Sequence, residues 1–361
     1  MAALLATALA VPAVTALKAY GQGASKGEIL LGQTMPYSGP ASGFSQVGKA
    51  MVAYFDKINA EGGVNGRKIK LISLDDSYSP PKTVEQTRKL VESDNVLAIF
   101  GNVGTAPNLA IYQYLNQKKV PHLFIMSGLQ RWSSPKENPW TMAFIPSYLI
   151  EGSVYGRYLV QEVPQAKIAI LYQHDDGGKE FVRGLRHGLG EKANSMIVAE
   201  VSYEASDPTV DSQIVNLAAS GANVFYNTGN PKTTAQAIRQ AYDIGWKPLQ
   251  IVTSPAASVG GVLKPAGLDK SSGIVSAAYV KDPTDKRWTH DAGYTAWLAW
   301  MKQYLPEGNT ADYFNVVGYT AARPWWRCCG NAATTSAGRT SSRRRNRLRR
   351  SPSPCCCRGS P

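Results

Sequence analysis

The chain has 361 residues and a net charge of +13, long enough for one large or two ordinary domains with a full core. The charge is local: ten arginines and no acid follow Ala322, which leaves 29 basic against 26 acidic residues, a net of +3, over residues 1–322. All five cysteines (Cys328, Cys329, Cys355, Cys356, Cys357) lie in the same tail, so the body has no disulfide or thiol chemistry, which suits an exported protein, and its near balance of charge argues against a nucleic-acid partner.

Residues 1–24 are small and apolar with no acid, like the core of a secretory leader, and Pro12 and Lys18 interrupt the run before it is long enough to span a membrane. Gly23-Ala24-Ser25-Lys26-Gly27 matches G-x-S-x-G but precedes the first strand, so it lacks the strand–turn–helix setting of a nucleophile elbow. Ile29, Leu30 and Leu31 form a short apolar run bounded by glycine, as in a strand buried on both faces. A loop over 35–43 follows. Phe44, Val47, Met51, Tyr54, Phe55 and Ile58 then recur at helical spacing. Glycines 62, 63 and 66 end that helix, and 68–74 is the next strand. Strand, crossover helix and strand make a βαβ unit, whose ligand-binding edge is the carboxyl end of its strands. Tyr37, Ser38 and Ser42 fall at that edge.

The same alternation continues. Helix is expected over 84–91, strand over 96–100, helix over 108–116 with Thr105 as its cap, and strand over 121–126. A polar loop over 129–140 carries Trp132 and Trp140. A second series begins near Ser147, with helices over 148–160, 179–192, 211–219 and 233–244 and strands over 167–172, 196–201, 224–226 and 249–252. Residues 274–279 read as a strand crossing back to the first series, followed by helices over 286–304 and 311–322. Alternating βα units imply parallel sheets. Beyond Ala322 the apolar period stops, so 323–361 reads as an aberrant, disordered tail; its arginine run, 343–350, has neither stacking aromatics nor a fold around it to bind nucleic acid.

Gly43 to Ala50 nearly matches the phosphate-cradling G-x-x-x-x-G-K-[ST], but Ala50 has no hydroxyl for magnesium and the segment already fits a helical stripe. His174, Asp175 and Asp176 follow a strand, yet three adjacent residues of an extended loop do not converge on one ion; they read as a polar loop before a helix. His122, His187 and His290 are isolated. No catalytic residue, metal site or cofactor is expected. Ser38, Gly104-Thr105 and Ser127-Gly128 each follow a predicted strand of one sheet, where hydroxyls and helix-start N–H groups either cap helices or hold a carboxylate.

The stretches PYSGPAS, INAEGGVNGRKIKL and DDSYSPPKTVEQTRKLV resemble the periplasmic Leu/Ile/Val-binding family of ABC-importer substrate-binding proteins, a resemblance that extends to about Ala322. It implies an α/β, two-lobed type I periplasmic binding protein fold, each lobe a mostly parallel sheet flanked by helices. Residues 28–145 with 281–322 would form lobe 1, and 146–280 lobe 2. It implies a monomeric, periplasmic, non-enzymatic chain that delivers a small carboxylate or amino acid to a membrane permease. The ligand-binding set carried over is Tyr37, Ser38, Gly104, Thr105, Ser127 and Gly128 in lobe 1, with Asp176, Thr228 and Ser254 from the lobe 2 loops Asp176-Gly177, Thr228-Gly229-Asn230 and Ser254-Pro255-Ala256. Where amino-acid binders of the family tend to have Tyr and Pro-Glu, this chain has Gly177 and Pro255-Ala256. The expected solute is therefore an aromatic or aliphatic acid without an α-amino group, with Tyr37, Trp132 and Trp140 against its flat or apolar body, and a branched-chain amino acid as the alternative.

Overall fold

The computed structural model describes residues 22–335; the expected leader, but for its last residues, and the tail from 336 onward lie outside them. The first sheet takes its strands from the first half of the chain: β1 (Glu28–Met35), β2 (Lys68–Asp75), β3 (Ala98–Phe100), β4 (His122–Ile125) and β5 (Thr141–Ala143). Its order is β2-β1-β3-β4-β5, all parallel. Helices α1 (Ser45–Ala60), α2 (Pro80–Arg88, continued by a π turn over Lys89–Ser93) and α3 (Thr105–Lys118) connect it. The apolar stripe expected in α1 is buried: Val47, Met51, Tyr54, Phe55 and Ile58 join the core with Leu31 and Met35 of β1.

The second sheet is β6 (Ile168–Gln173), β7 (Ile197–Tyr203), β8 (Val224–Thr228) and β9 (Leu249–Val252), in order β7-β6-β8-β9 and again parallel. Around it lie α4 (Tyr148–Glu162), α5 (Asp176–Leu189), the single turn α6 (Ala193–Met196), α7 (Asp211–Ala219), α8 (Pro231–Asp243) and the short α9 (Lys264–Ala266). The chain passes between the sheets at 144–147 and returns over 275–281. Two helices, α10 (Ala292–Tyr304) and α11 (Tyr313–Thr335), pack back on the first sheet's side, where Trp300 and Tyr319 meet Tyr54 with ring centroids 6.3 and 5.0 Å away.

Three expectations are corrected. The returning segment is not a full strand: only Val275 bridges, in parallel, to Ile251, because the backbone then leaves the sheet for the other lobe. The helix expected over 286–304 starts only at Ala292, where Asp291 caps it by accepting from Tyr294 N; a 3₁₀ turn, Lys286–Trp288, precedes it. The last helix does not stop at Ala322 but runs through Pro324 to Thr335. Proline removes one backbone donor but does not forbid a helix on either side of it.

Helices α4 and α5 approach along glycines. A carbon built on Gly152 would meet Phe181 O at 2.5 Å, on Gly156 Leu185 O at 2.5 Å, and on Gly184 Leu149 O at 2.5 Å, while Gly188 lies over the Ser153 carbonyl. These neighbours are backbone, so they cannot move aside as a side chain tip would. At the head of α4, Glu151 is 8% exposed and ties three segments together. Its Oε1 accepts from Ser254 N (2.7 Å) and Tyr155 OH (3.0 Å), its Oε2 from Ser254 Oγ (2.7 Å), and Tyr155 OH accepts from Ala277 N of the returning segment (2.8 Å). Burial pushes the Glu151 carboxyl up against these donors, which pull it down; the net direction is up.

Two outcomes follow from this packing. Gly184→Ala should lose about 1–3 kcal/mol by overpacking, although alanine is the better helix former; denaturant unfolding checks the sign. Glu151→Gln keeps the acceptor oxygen and offers Ser254 Oγ a donor, as the protonated acid does. A raised folded pKa contributes stability that is complete below the unfolded value of about 4.3 and is lost as pH rises through the folded value. The glutamine variant should therefore melt above wild type at pH 8 and converge with it toward pH 5. A variant less stable throughout this range would show that the ionised carboxylate is favoured by its donors.

Candidate functional site

The carboxyl ends of the two sheets face each other across a cleft of about 740 Å³ of atom-free space, its mouth included. The first sheet's side supplies Phe44, Val47, Tyr78, Val103, Gly104, Thr105, Met126 and Ile145. The second supplies Tyr148, Gln173, Asp175, Gly177, Gly178, Phe181, Thr228, Gly229, Asn230, Thr253 and Pro255. Tyr279, Tyr313, Phe314 and Val317 close it from the returning chain. Among the described residues, no lysine, arginine or histidine lines it.

Helices α3, α5 and α8 begin at this space, as do α4 at Tyr148, also without a side-chain cap, and α11 at Tyr313, and the heads are not equivalent. α5 is capped by Asp175, whose Oδ1 accepts from Gly178 N at 2.8 Å. α8 is capped by Asn230, which accepts from Thr233 N at 3.0 Å. α3 is preceded by Gly104 and has no side-chain cap. The first N–H groups of a helix have no partner within it. At α3 they are open to a ligand, and the helix dipole favours an anion there.

The surroundings hold that head in place. Gly104 has φ +100°, and a carbon on it would strike the Tyr78 ring, so both backbone and contact require glycine. Gly104 N donates to Met126 O (3.2 Å), and Asn108 Nδ2 donates to Gly104 O (2.5 Å). Asn108 Oδ1 accepts in turn from His122 Nε2 at 2.8 Å. Burial pushes His122 down to about 3, so it stays neutral and structural. Thr105 Oγ1 and Ser127 Oγ lie 2.8 Å apart, and Trp132 Nε1 donates to Ser127 Oγ at 3.1 Å. Either hydroxyl can donate across the pair; with Ser127 donating, the Thr105 proton is free for an acceptor in the cleft.

The nine residues singled out from the sequence divide. Gly104, Thr105 and Thr228 line the cleft. Ser127 stands behind Thr105. Gly128 packs under the Tyr148 ring and the Pro146 carbonyl and brings Tyr148 to the wall through Tyr148 N–H to Gly128 O at 2.8 Å. Tyr37 and Ser38 are not in the lining. Tyr37 OH pairs with Ser73 Oγ at 2.7 Å, and Ser38 is exposed, with Oγ donating to Asp75 Oδ2 at 2.5 Å. Burial pushes the Asp75 carboxyl up, but the Ser38 hydroxyl, the Ser77 and Ser38 N–H groups and Lys82 outweigh it and hold it well below the usual range. Asp176 is exposed and lines an outer groove with Lys179, Arg131 and Arg183; its neighbour Asp175 faces the cleft. Ser254 is turned away onto Glu151, leaving Thr253 and Pro255 at the wall.

The aromatic walls differ from expectation as well. Trp132 is buried against Tyr112, with ring centroids 5.5 Å apart, and neither Trp140 nor Tyr37 reaches the cleft. Instead Tyr148 stacks on Phe181 at 4.2 Å, and Tyr279 meets Tyr313 edge-on at 6.0 Å. Asp175 was legible as a cap three residues before Gly178. Tyr279 and Tyr313 carry no local signal, since only long-range packing brings them here. The His174-Asp175-Asp176 run disperses: His174 Nδ1 pairs with Glu204 at 2.7 Å on the surface, and no metal-holding cluster occurs among the described residues. No helix among them is long and apolar enough to cross a membrane.

Known proteins resemble the chain along most of its length. The Leu/Ile/Val-binding protein homolog 7 of Brucella abortus (strain 2308) is 25% identical over 282 residues, covering 75% of this chain and 68% of the relative. Homolog 1 of the same organism is 26% identical over 314 residues, covering 83% and 82%. The crystal structure of a substrate-binding periplasmic protein from Ralstonia solanacearum superposes with a TM-score of 0.75 at 26% identity, covering 84% of this chain and 85% of that one. The family model described as periplasmic binding protein matches residues 28–346. Members of that family bind substrates and are not enzymes. Two parallel sheets facing one cleft, and a family match across nearly the whole described chain, make this protein a member of the periplasmic binding protein family.

Proposed function

We propose that the chain is the periplasmic solute-binding component of an ABC importer and closes as a monomer on a small carboxylate with an aromatic or aliphatic body. Residues 28–145 with 281–322 form one jaw and 146–280 the other. The uncapped head of α3 carries this reading: it opens beside Thr105 into a space walled by aromatic and aliphatic side chains and without a cation. A carboxylate there takes charge-assisted bonds worth about 1.5–3 kcal/mol each from N–H and hydroxyl groups. The aromatic walls bury the ligand body. Closure then follows from contacts that the ligand makes only when both jaws reach it.

One observation favours a second solute, an α-amino acid. Asp175 is in the lining and would face an ammonium. Against it, Asp175 already accepts from Gly178 N at 2.8 Å and from Gln173 Nε2 at 2.7 Å, and burial pushes its carboxyl up, away from the charged form an ammonium needs. The names of the Leu/Ile/Val-binding homologs support the amino-acid alternative.

Thermal shift with matched pairs separates the two. A ligand at a hundred times its Kd adds about 2.7 kcal/mol. Phenylacetate and 4-methylpentanoate should stabilise the protein, and leucine should do so less than 4-methylpentanoate. If leucine stabilises it and 4-methylpentanoate does not, the preference for a solute without an α-amino group is wrong, and Asp175→Asn should abolish the leucine effect.

A further inference from the structure

The two sides of the cleft touch along a seam. Gln130 N of the first side donates to Glu180 Oε2 of the second at 2.7 Å, and Gln173 Nε2 donates to Tyr78 OH at 3.5 Å. At Gly43 a side chain would run into the Pro231 ring, its first carbon 2.8 Å from Pro231 Cβ. At the floor of the cleft Thr105 lies on Gly177, and a carbon built on Gly177 would sit 2.6 Å from Thr105 Oγ1 and 3.2 Å from Thr105 Cβ.

We infer that Gly177 is a specificity-determining residue: its missing side chain lets the Thr105 hydroxyl close onto the second lobe and so sets the width of the closed cleft for a compact solute. This rests on the reading of the cleft as the solute site, and deepens it. Carbon approaches its neighbours favourably at about 3.5–4.0 Å, so a side chain at 177 requires Thr105 or the opposing lobe to shift. Thr105 has one means of yielding, rotation about χ1. Rotation takes Oγ1 away from Ser127 Oγ, its 2.8 Å partner, and leaves Cβ where it was. A side chain at 177 therefore either breaks the hydroxyl pair beside the head of α3 or holds the jaws apart. The first loses an anchor of the ligand, and the second widens the cleft toward larger bodies. The glycine is not needed for the helix itself: Gly177 lies in the first turn of α5 outside the left-handed region, where alanine is favoured.

The test reads inter-lobe distance as well as affinity. Spin labels are placed at exposed Lys136 and Lys192 by Lys136→Cys and Lys192→Cys in the full chain, with serine at its five native cysteines. Distances are measured by pulsed electron resonance without solute and with leucine or 4-methylpentanoate. Wild type should show a short, closed distance that Gly177→Ala shifts outward and Gly177→Ala with Thr105→Gly restores. In calorimetry Gly177→Ala should weaken binding of the compact solute about ten-fold or more, and less for phenylacetate. The same short distance in wild type and Gly177→Ala overturns the inference, as does a wild type with no closed population under any of these conditions. If no solute binds wild type, the carboxylate reading falls on its own, and the distances still decide the role of Gly177. Circular dichroism and thermal melts of Gly177→Ala that match wild type without solute exclude a folding defect as the source of the shift.

Discussion

The site depends on how one helix, α3, begins. Asp175, Asn230 and Asp291 cap α5, α8 and α10 with their own side chains, whereas α3 begins at a bare glycine. An absent cap costs a helix about 0.5–2 kcal/mol, and the surroundings of α3 offset that loss. His122, Asn108 and the Gly104 carbonyl form a buried chain, and Asn102 is tied to Thr34 through its side-chain oxygen at 3.1 Å and its amide at 2.9 Å. The loop is thereby rigid although its donors are unspent. Free donors on a fixed frame are what an anion requires.

Glycine is used in this chain to bring backbone close to whatever it must face. Along α4 and α5 it lets two helices meet at their carbonyls. At Gly104 it admits the Tyr78 ring, at Gly128 the crossing chain, and at Gly177 the opposing lobe. The first of these contacts builds the second lobe, and the others shape the cleft. Glu151 adds a polar tie of a different kind, joining α4, the loop after β9 and the returning segment behind the wall.

Much of the fold was legible in the sequence because its strands are short apolar runs and its helices carry a period. The unit from β1 through α1 to β2 read correctly for that reason. β5 did not, since three residues after a polar loop become a strand only by pairing with β4. α11 outran its apolar period, which marks a buried face and not the end of a backbone. Loop position brought Gly104, Thr105 and Thr228 to the cleft, because the carboxyl end of a parallel strand is fixed by topology. The same rule picked Tyr37, Ser38 and Ser254, which are not in the lining. Each satisfies the position but finds a closer partner, Ser73, Asp75 and Glu151 respectively. Competition of that kind is decided by tertiary distance, which no local pattern carries.

The central claim is that the open head of α3 receives a carboxylate. It is tested most directly by a crystal structure of the protein with the solute it retains through purification. The account predicts carboxylate oxygens within hydrogen-bond distance of Thr105 Oγ1 and the first N–H groups of α3, with the rest of the molecule between Tyr148, Phe181 and Tyr313. A retained solute without an acid group, or one whose carboxylate lies elsewhere in the cleft, would contradict it.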